Sequence, residues 1–70
     1  VDYDIAADLV EEACRITPGI ESPTVSPLAD PSWAAVRAMV SRDKVHAVMD
    51  ELYELGARGI IVTDIHACRL

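Results

Sequence analysis

The sequence predicts an α+β domain: a four-stranded antiparallel sheet with two helices on one face, in the order strand, helix, strand, strand, helix, strand. Three observations predict it. Apolar residues alternate over 1–5 and again over 33–40, the period of a strand. Between 45 and 55 they recur at i, i+3, i+4 and i+7, the period of a helix. All four prolines fall between residues 18 and 31 and divide the chain into two halves.

The first strand is Val1–Ile5, with Val1, Tyr3 and Ile5 on one face and Asp2 and Asp4 on the other. Ala6–Ile16 follows as a helix, because Leu9, Val10, Ala13, Cys14 and Ile16 share a stripe. Asp8, Glu11 and Glu12 lie in its early turns, where the helix dipole favours acids. Asp4 is expected to cap this helix and Pro18-Gly19 to end it. The proline-rich stretch admits only loop and edge strand, the strand at Thr24–Ser26.

Trp33–Val40 contains Ala, Arg and Met, which favour helix. Two features decide for strand: Ala34, Val36, Ala38 and Val40 alternate with Trp33, Ala35, Arg37 and Met39, and a clear helix abuts the segment. That helix starts after Ser41 as cap, carries the stripe Val45, Val48, Met49, Leu52 and Leu55, and ends at Gly56. Ile60–Thr63 reads as a covered, β-branched last strand, which Asp64–Leu70 either continues or leaves. Two βαβ units of this size, each crossing right-handed, give the ferredoxin-like sandwich. One sheet face then stays uncovered, and Trp33 and Met39 are expected there as an association surface.

Length allows one domain, residues 1–70. A chain this short buries only about 60% of its unfolded surface, which favours association with a partner. It opens without Met inside an alternating run, which predicts further sequence upstream. Twelve acidic and six basic residues give a net charge of −6, with the basic residues scattered; this disfavours nucleic acid and anionic membranes as partners. No apolar run approaches the ~20 residues that cross a bilayer. Cys14 and Cys68 read as reduced residues of a cytoplasmic protein.

No Ser-His-Asp or Cys-His constellation and no phosphate-cradling glycine loop is present, so no catalytic residue is expected in this chain. His66 and Cys68 share a strand face, but two ligands are too few for a structural zinc site. His46 and Asp50 lie one helical turn apart and read as a surface pair. The charge-rich first helix is a solvated face. Glu21-Ser22-Pro23-Thr24 offers hydroxyls and backbone N–H groups on a chain stiffened by proline, the kind of loop that builds small-ligand sites. A plain connection, with Ser and Thr satisfying local turns, accounts for the same residues at least as well.

The segments ITPGIESPTVSPL (16–28), WAAVRAMV (33–40), VMDELYELGARGI (48–60) and DIHACR (64–69) resemble the C-terminal regulatory domain of long-form ATP phosphoribosyltransferase. The resemblance spans nearly the whole chain without gaps, and ESPTVSPL is its most specific part. It implies a parent glycosyltransferase that joins ATP to phosphoribosyl pyrophosphate with Mg²⁺ in the first step of histidine biosynthesis. Two N-terminal catalytic domains outside this chain would carry that reaction and its metal. It implies a ferredoxin-like regulatory domain, akin to nitrogen-regulatory signal proteins, that binds L-histidine as feedback inhibitor. It also implies that this domain packs as a trimer within a hexamer.

Matched residue by residue, the resemblance places histidine contacts at Asp4, Ile20, Ser22 and Thr24, with a backbone contact at Gly59. The chemistry suits a ligand with an ammonium, a carboxylate and an imidazole. Asp4 can neutralise the cation, Thr24 can bond a ring nitrogen, loop N–H groups can hold the carboxylate, and Ile20 can wall the ring. Two departures stand out. Gly59 falls where a small side chain such as Ala is expected, which implies a looser pocket, and His66–Leu70 is less typical of the family. Two rival readings remain: a trimerisation module without ligand, and a free-standing sensor of another amino acid or of a nucleotide on the same fold.

Overall fold

The computed structural model describes residues 1–17 and 22–64. Four strands form one antiparallel sheet: β1 (Asp2–Ala6), β2 (Thr24–Pro27), β3 (Trp33–Arg37) and β4 (Arg58–Ile61), in the spatial order β2-β3-β1-β4. Helices α1 (Val10–Ile16) and α2 (Val45–Leu55) connect them, each preceded by a 3-10 turn, Ala7–Leu9 and Arg42–Lys44. The expected ferredoxin-like order is therefore present.

Alternation decides which face each strand residue takes. Tyr3, Ile5 and Val36 from the sheet meet Ala13 of α1 and Leu52 of α2 in one core, flanked by Leu9, Val10, Ile16, Val48 and Leu55. Both helices thus cover the same sheet face. Among the described residues, the buried apolar side chains are Tyr3, Ile5, Val36, Leu52 and the four alanines Ala13, Ala34, Ala38 and Ala57. Few large groups carry this core, as expected for so short a chain.

The segment after residue 33 is strand, not an extension of the helix that follows it. β3 ends at Arg37, yet pairing runs one residue further: the Ala38 N–H donates to the Val1 carbonyl at 3.0 Å, and the Val1 amino group donates to the Ala38 carbonyl at 2.9 Å. β2 is a fully exposed edge strand whose Pro27 sits at its end, where a missing N–H does little harm. The β2–β3 turn is fixed by Asp30, whose carboxylate accepts from the Ser32 N–H at 3.0 Å and hydroxyl at 2.6 Å. Those two bonds hold the Asp30 carboxyl below its usual pKa.

Three expectations need correction. Asp4 does not cap α1: it lies inside β1, and pairing continues through Ala6 to the Ala7 N–H, which donates to the Ser32 carbonyl at 2.7 Å. The 3-10 turn then delays α1 to Val10, and no side chain caps it. Ser41 likewise makes no side-chain cap; its backbone carbonyl accepts the Lys44 N–H at 3.0 Å. The last strand begins at Arg58 rather than Ile60 and is an uncovered edge, with Ile61 59% and Val62 42% exposed.

The end of α2 explains that early start. Gly56 has φ 115°, its N–H bonds the Tyr53 carbonyl at 3.1 Å, and the Ala57 N–H bonds the Leu52 carbonyl at 2.9 Å. This is the paired bonding of a Schellman end, and it drops Ala57 into the core beside Leu52. The chain has then already reached the sheet at Arg58. Pro18-Gly19, His66 and Cys68 lie outside the described residues.

Candidate functional site

On the sheet face opposite the helices lies a groove of about 420 Å³ with walls from all four strands. Its floor follows from strand register. One row across the sheet reads Thr24, Arg37, Asp2, Ile61; the next reads Ser26, Ala35, Asp4, with Arg58 paired to Asp4 but its guanidinium turned away, 4.8 Å from the centre of the Tyr53 ring. Ala35, a small residue between Ser26 and Asp4, leaves the floor low at its centre. Asp2 and Asp4 reach this face because they alternate with the buried Tyr3 and Ile5.

β4 closes the groove with a bulge. Between the pairs Asp2–Ile61 and Asp4–Arg58, β4 spends one more residue than β1, and Gly59 within that stretch has φ 60°. A glycine adopts the left-handed region at such a bulge without the backbone strain that an L side chain would carry there. The position a Gly59 Cβ would occupy lies 3.7 Å from Asp4 Oδ2, so the carboxylate stands directly beside the bulge.

The charges divide into one paired and one unpaired acid. The Arg37 Nε donates to Asp2 Oδ1 at 2.8 Å across the β1–β3 ladder, and this bond to Asp2 raises the guanidinium pKa further. Asp4, two residues on, has no hydrogen bond or ion pair among the described residues. It is half-buried. An unpaired carboxylate in a polar groove is suited to bind a cation or a hydrogen-bond donor.

Beneath the groove, Tyr3 fixes the floor from the core side. Its hydroxyl and that of Thr17 are hydrogen-bonded at 2.7 Å, and Thr17 Oγ1 lies 3.1 Å from the Ala13 carbonyl, to which it can donate. Burial raises the Tyr3 pKa, with the bond to Thr17 opposing it. Strand β1 and the end of α1 are thereby tied together.

Of the residues expected to contact a ligand, Asp4, Thr24 and Gly59 all line this one groove. Ser22 is exposed and not part of its wall. Ile20 lies outside the described residues. Trp33 and Met39, expected on the open face, are both half-buried, and neither lines the groove. Sequence reasoning did not assign Asp2, Ser26 or Arg37 to the site. The signal was available: Asp2 shares a face with Asp4, and Arg37 with Ala35, by the two-residue period.

Comparison with known proteins supports the resemblance noted from the sequence. The family model described as HisG, C-terminal domain, matches residues 1–67. The chain is 61% identical over 70 residues to the ATP phosphoribosyltransferase of Paenarthrobacter aurescens (strain TC1), covering 100% of this chain and 24% of that protein. It is 63% identical over 68 residues to the enzyme of that name from Salinispora tropica, covering 97% and 24%. With that of Salinibacter ruber it shares 61% over 70 residues, covering 100% and 25%. The chain thus spans about a quarter of the length of the curated relatives it matches. With a matching fold, a match over nearly every residue and identities of about 60%, this chain belongs to the HisG C-terminal domain family.

Proposed function

We propose that this domain is the regulatory part of an ATP phosphoribosyltransferase and binds L-histidine as a feedback inhibitor in the open-face groove. One observation carries the reading: the Asp4 carboxylate, unpaired among the described residues, shares a single groove with Thr24 and the Gly59 bulge. Asp4 neutralises the ligand ammonium, Thr24 bonds an imidazole nitrogen, and the bulge backbone supplies a further contact. Histidine inhibits by binding the inactive assembly more tightly than the active one, since equal affinity shifts nothing.

The reaction itself, a phosphoribosyl transfer in histidine biosynthesis, belongs to the part of the cytoplasmic enzyme beyond this domain. Among the described residues no three His, Cys, Asp or Glu side chains stand together as a metal-binding group. The Mg²⁺ of that reaction goes with the catalytic part, as the family resemblance implies. The domain also serves assembly: the thin core and the exposed apolar side chains Val25, Ile61 and Val62 at the sheet edges favour a trimer of this domain within a hexamer. Sedimentation that gives a monomer at high concentration contradicts the assembly role.

Calorimetric titration of the full-length protein with L-histidine tests the ligand. Asp4→Asn keeps the shape and removes the charge, so affinity should fall by about 10- to 150-fold, the loss of one charge-assisted bond worth about 1.5–3 kcal/mol. If Asp4→Asn and Thr24→Val both bind as tightly as the parent, the groove is not the site.

A further inference from the structure

Arg37 occupies a position the ligand reading leaves unused. Register sets it directly between Thr24 on β2 and Asp2 on β1, and diagonally from Asp4. Diagonal neighbours on one face of an antiparallel pair stand about 7–8 Å apart, within reach of both ends of one small molecule. Among the described residues Arg37 is the single cation lining the groove, and its side chain is 76% exposed. Asp2 engages only its Nε; among the described residues the two Nη groups have no partner.

We propose that Arg37 receives the carboxylate of an α-amino-acid ligand, so that the groove reads a zwitterion between Asp4 at one pole and Arg37 at the other. A guanidinium held at Nε presents its Nη donors in a fixed plane, the geometry a carboxylate accepts. The Asp2 bond sets that plane, which makes Asp2 a positioning residue. Asp4 alone would accept any amine of suitable size; the added cation selects amino acids over amines that lack a carboxylate. This inference rests on the ligand reading above and adds the residue that discriminates.

The test is calorimetry on the full-length protein with two probes, L-histidine and histamine, which keeps the ammonium and ring but lacks the carboxylate. The parent should prefer L-histidine by about 10- to 100-fold, the span of one charge-assisted interaction. Arg37→Gln should bind L-histidine no better than histamine, with histamine affinity unchanged within about threefold. An Arg37→Gln protein that keeps the parent's preference overturns this inference and leaves the ligand reading standing. Equal weakening of both probes also overturns it, because the residue then acts through the sheet rather than on the carboxylate. A parent that binds neither probe overturns the ligand reading and this inference together.

Discussion

Replacing Gly59 with alanine isolates what the β4 bulge contributes. At φ 60° an L-residue sits in the left-handed region at a cost of about 1–2 kcal/mol. The added methyl group meets only Asp4 Oδ2 at 3.7 Å, an ordinary contact, so no collision enlarges that cost. Loss of glycine's freedom in the unfolded chain returns about 0.4–1 kcal/mol. The net expectation is a destabilisation of about 1 kcal/mol, or about 4–8 °C in Tm for a cooperative unit of this size. Gly59→Asn should lose about half as much, because Asn tolerates left-handed backbone. Circular dichroism on heating measures all three proteins. A Gly59→Ala protein as stable as the parent refutes the reasoning, because backbone conformation then costs nothing there; an Asn variant worse than the Ala variant refutes it too, because bulk, not backbone conformation, is then the constraint.

The buried Tyr3–Thr17 pair should respond asymmetrically. Tyr3→Phe leaves Thr17 its Ala13 acceptor and should cost about 1 kcal/mol, whereas Thr17→Val strands a buried phenol and should cost about 1–3 kcal/mol, measured by chemical denaturation. The double variant should lose less than the two single losses combined. Burial raises the Tyr3 pKa above 10.0, so its contribution is complete below pH 10.0, where the unfolded phenol begins to ionise. It is lost as pH climbs through the higher folded value, and Tyr3→Phe should flatten that part of an alkaline stability profile. Leu52→Ala removes one of the few large core side chains and should cost about 2–5 kcal/mol, read as a lower denaturant midpoint.

Local pattern made most of the fold legible. Alternation in β1 and β3, the apolar stripe of α2 and Gly56 at its end each reflect a residue's own neighbours. The failures arose where distant partners decide. Nothing near Asp4 in sequence shows that Ala6 pairs with Trp33 and holds the strand open past the supposed cap. Ile60-Ile61-Val62 looks like a covered strand by composition, yet the Schellman end of α2 delivers the chain to the sheet two residues earlier and at its edge. That Asp4, Thr24 and Gly59 come together in one groove was legible through family likeness alone. Arg37 escaped notice because its neighbours in the groove, Thr24 and Asp2, lie 13 and 35 positions away, respectively, and meet it only through strand register.

The hydrogen bond between Tyr3 and Thr17 bears on how tightly any ligand can be held. Tyr3 adjoins Asp4 on β1, while Thr17 closes α1. The groove floor is therefore fastened to α1 in the core before a ligand arrives. A molecule docking on Asp4 would meet a strand whose motion is already restricted, so less conformational entropy would be lost. Affinity in so small a domain would then depend on a bond that no ligand atom touches.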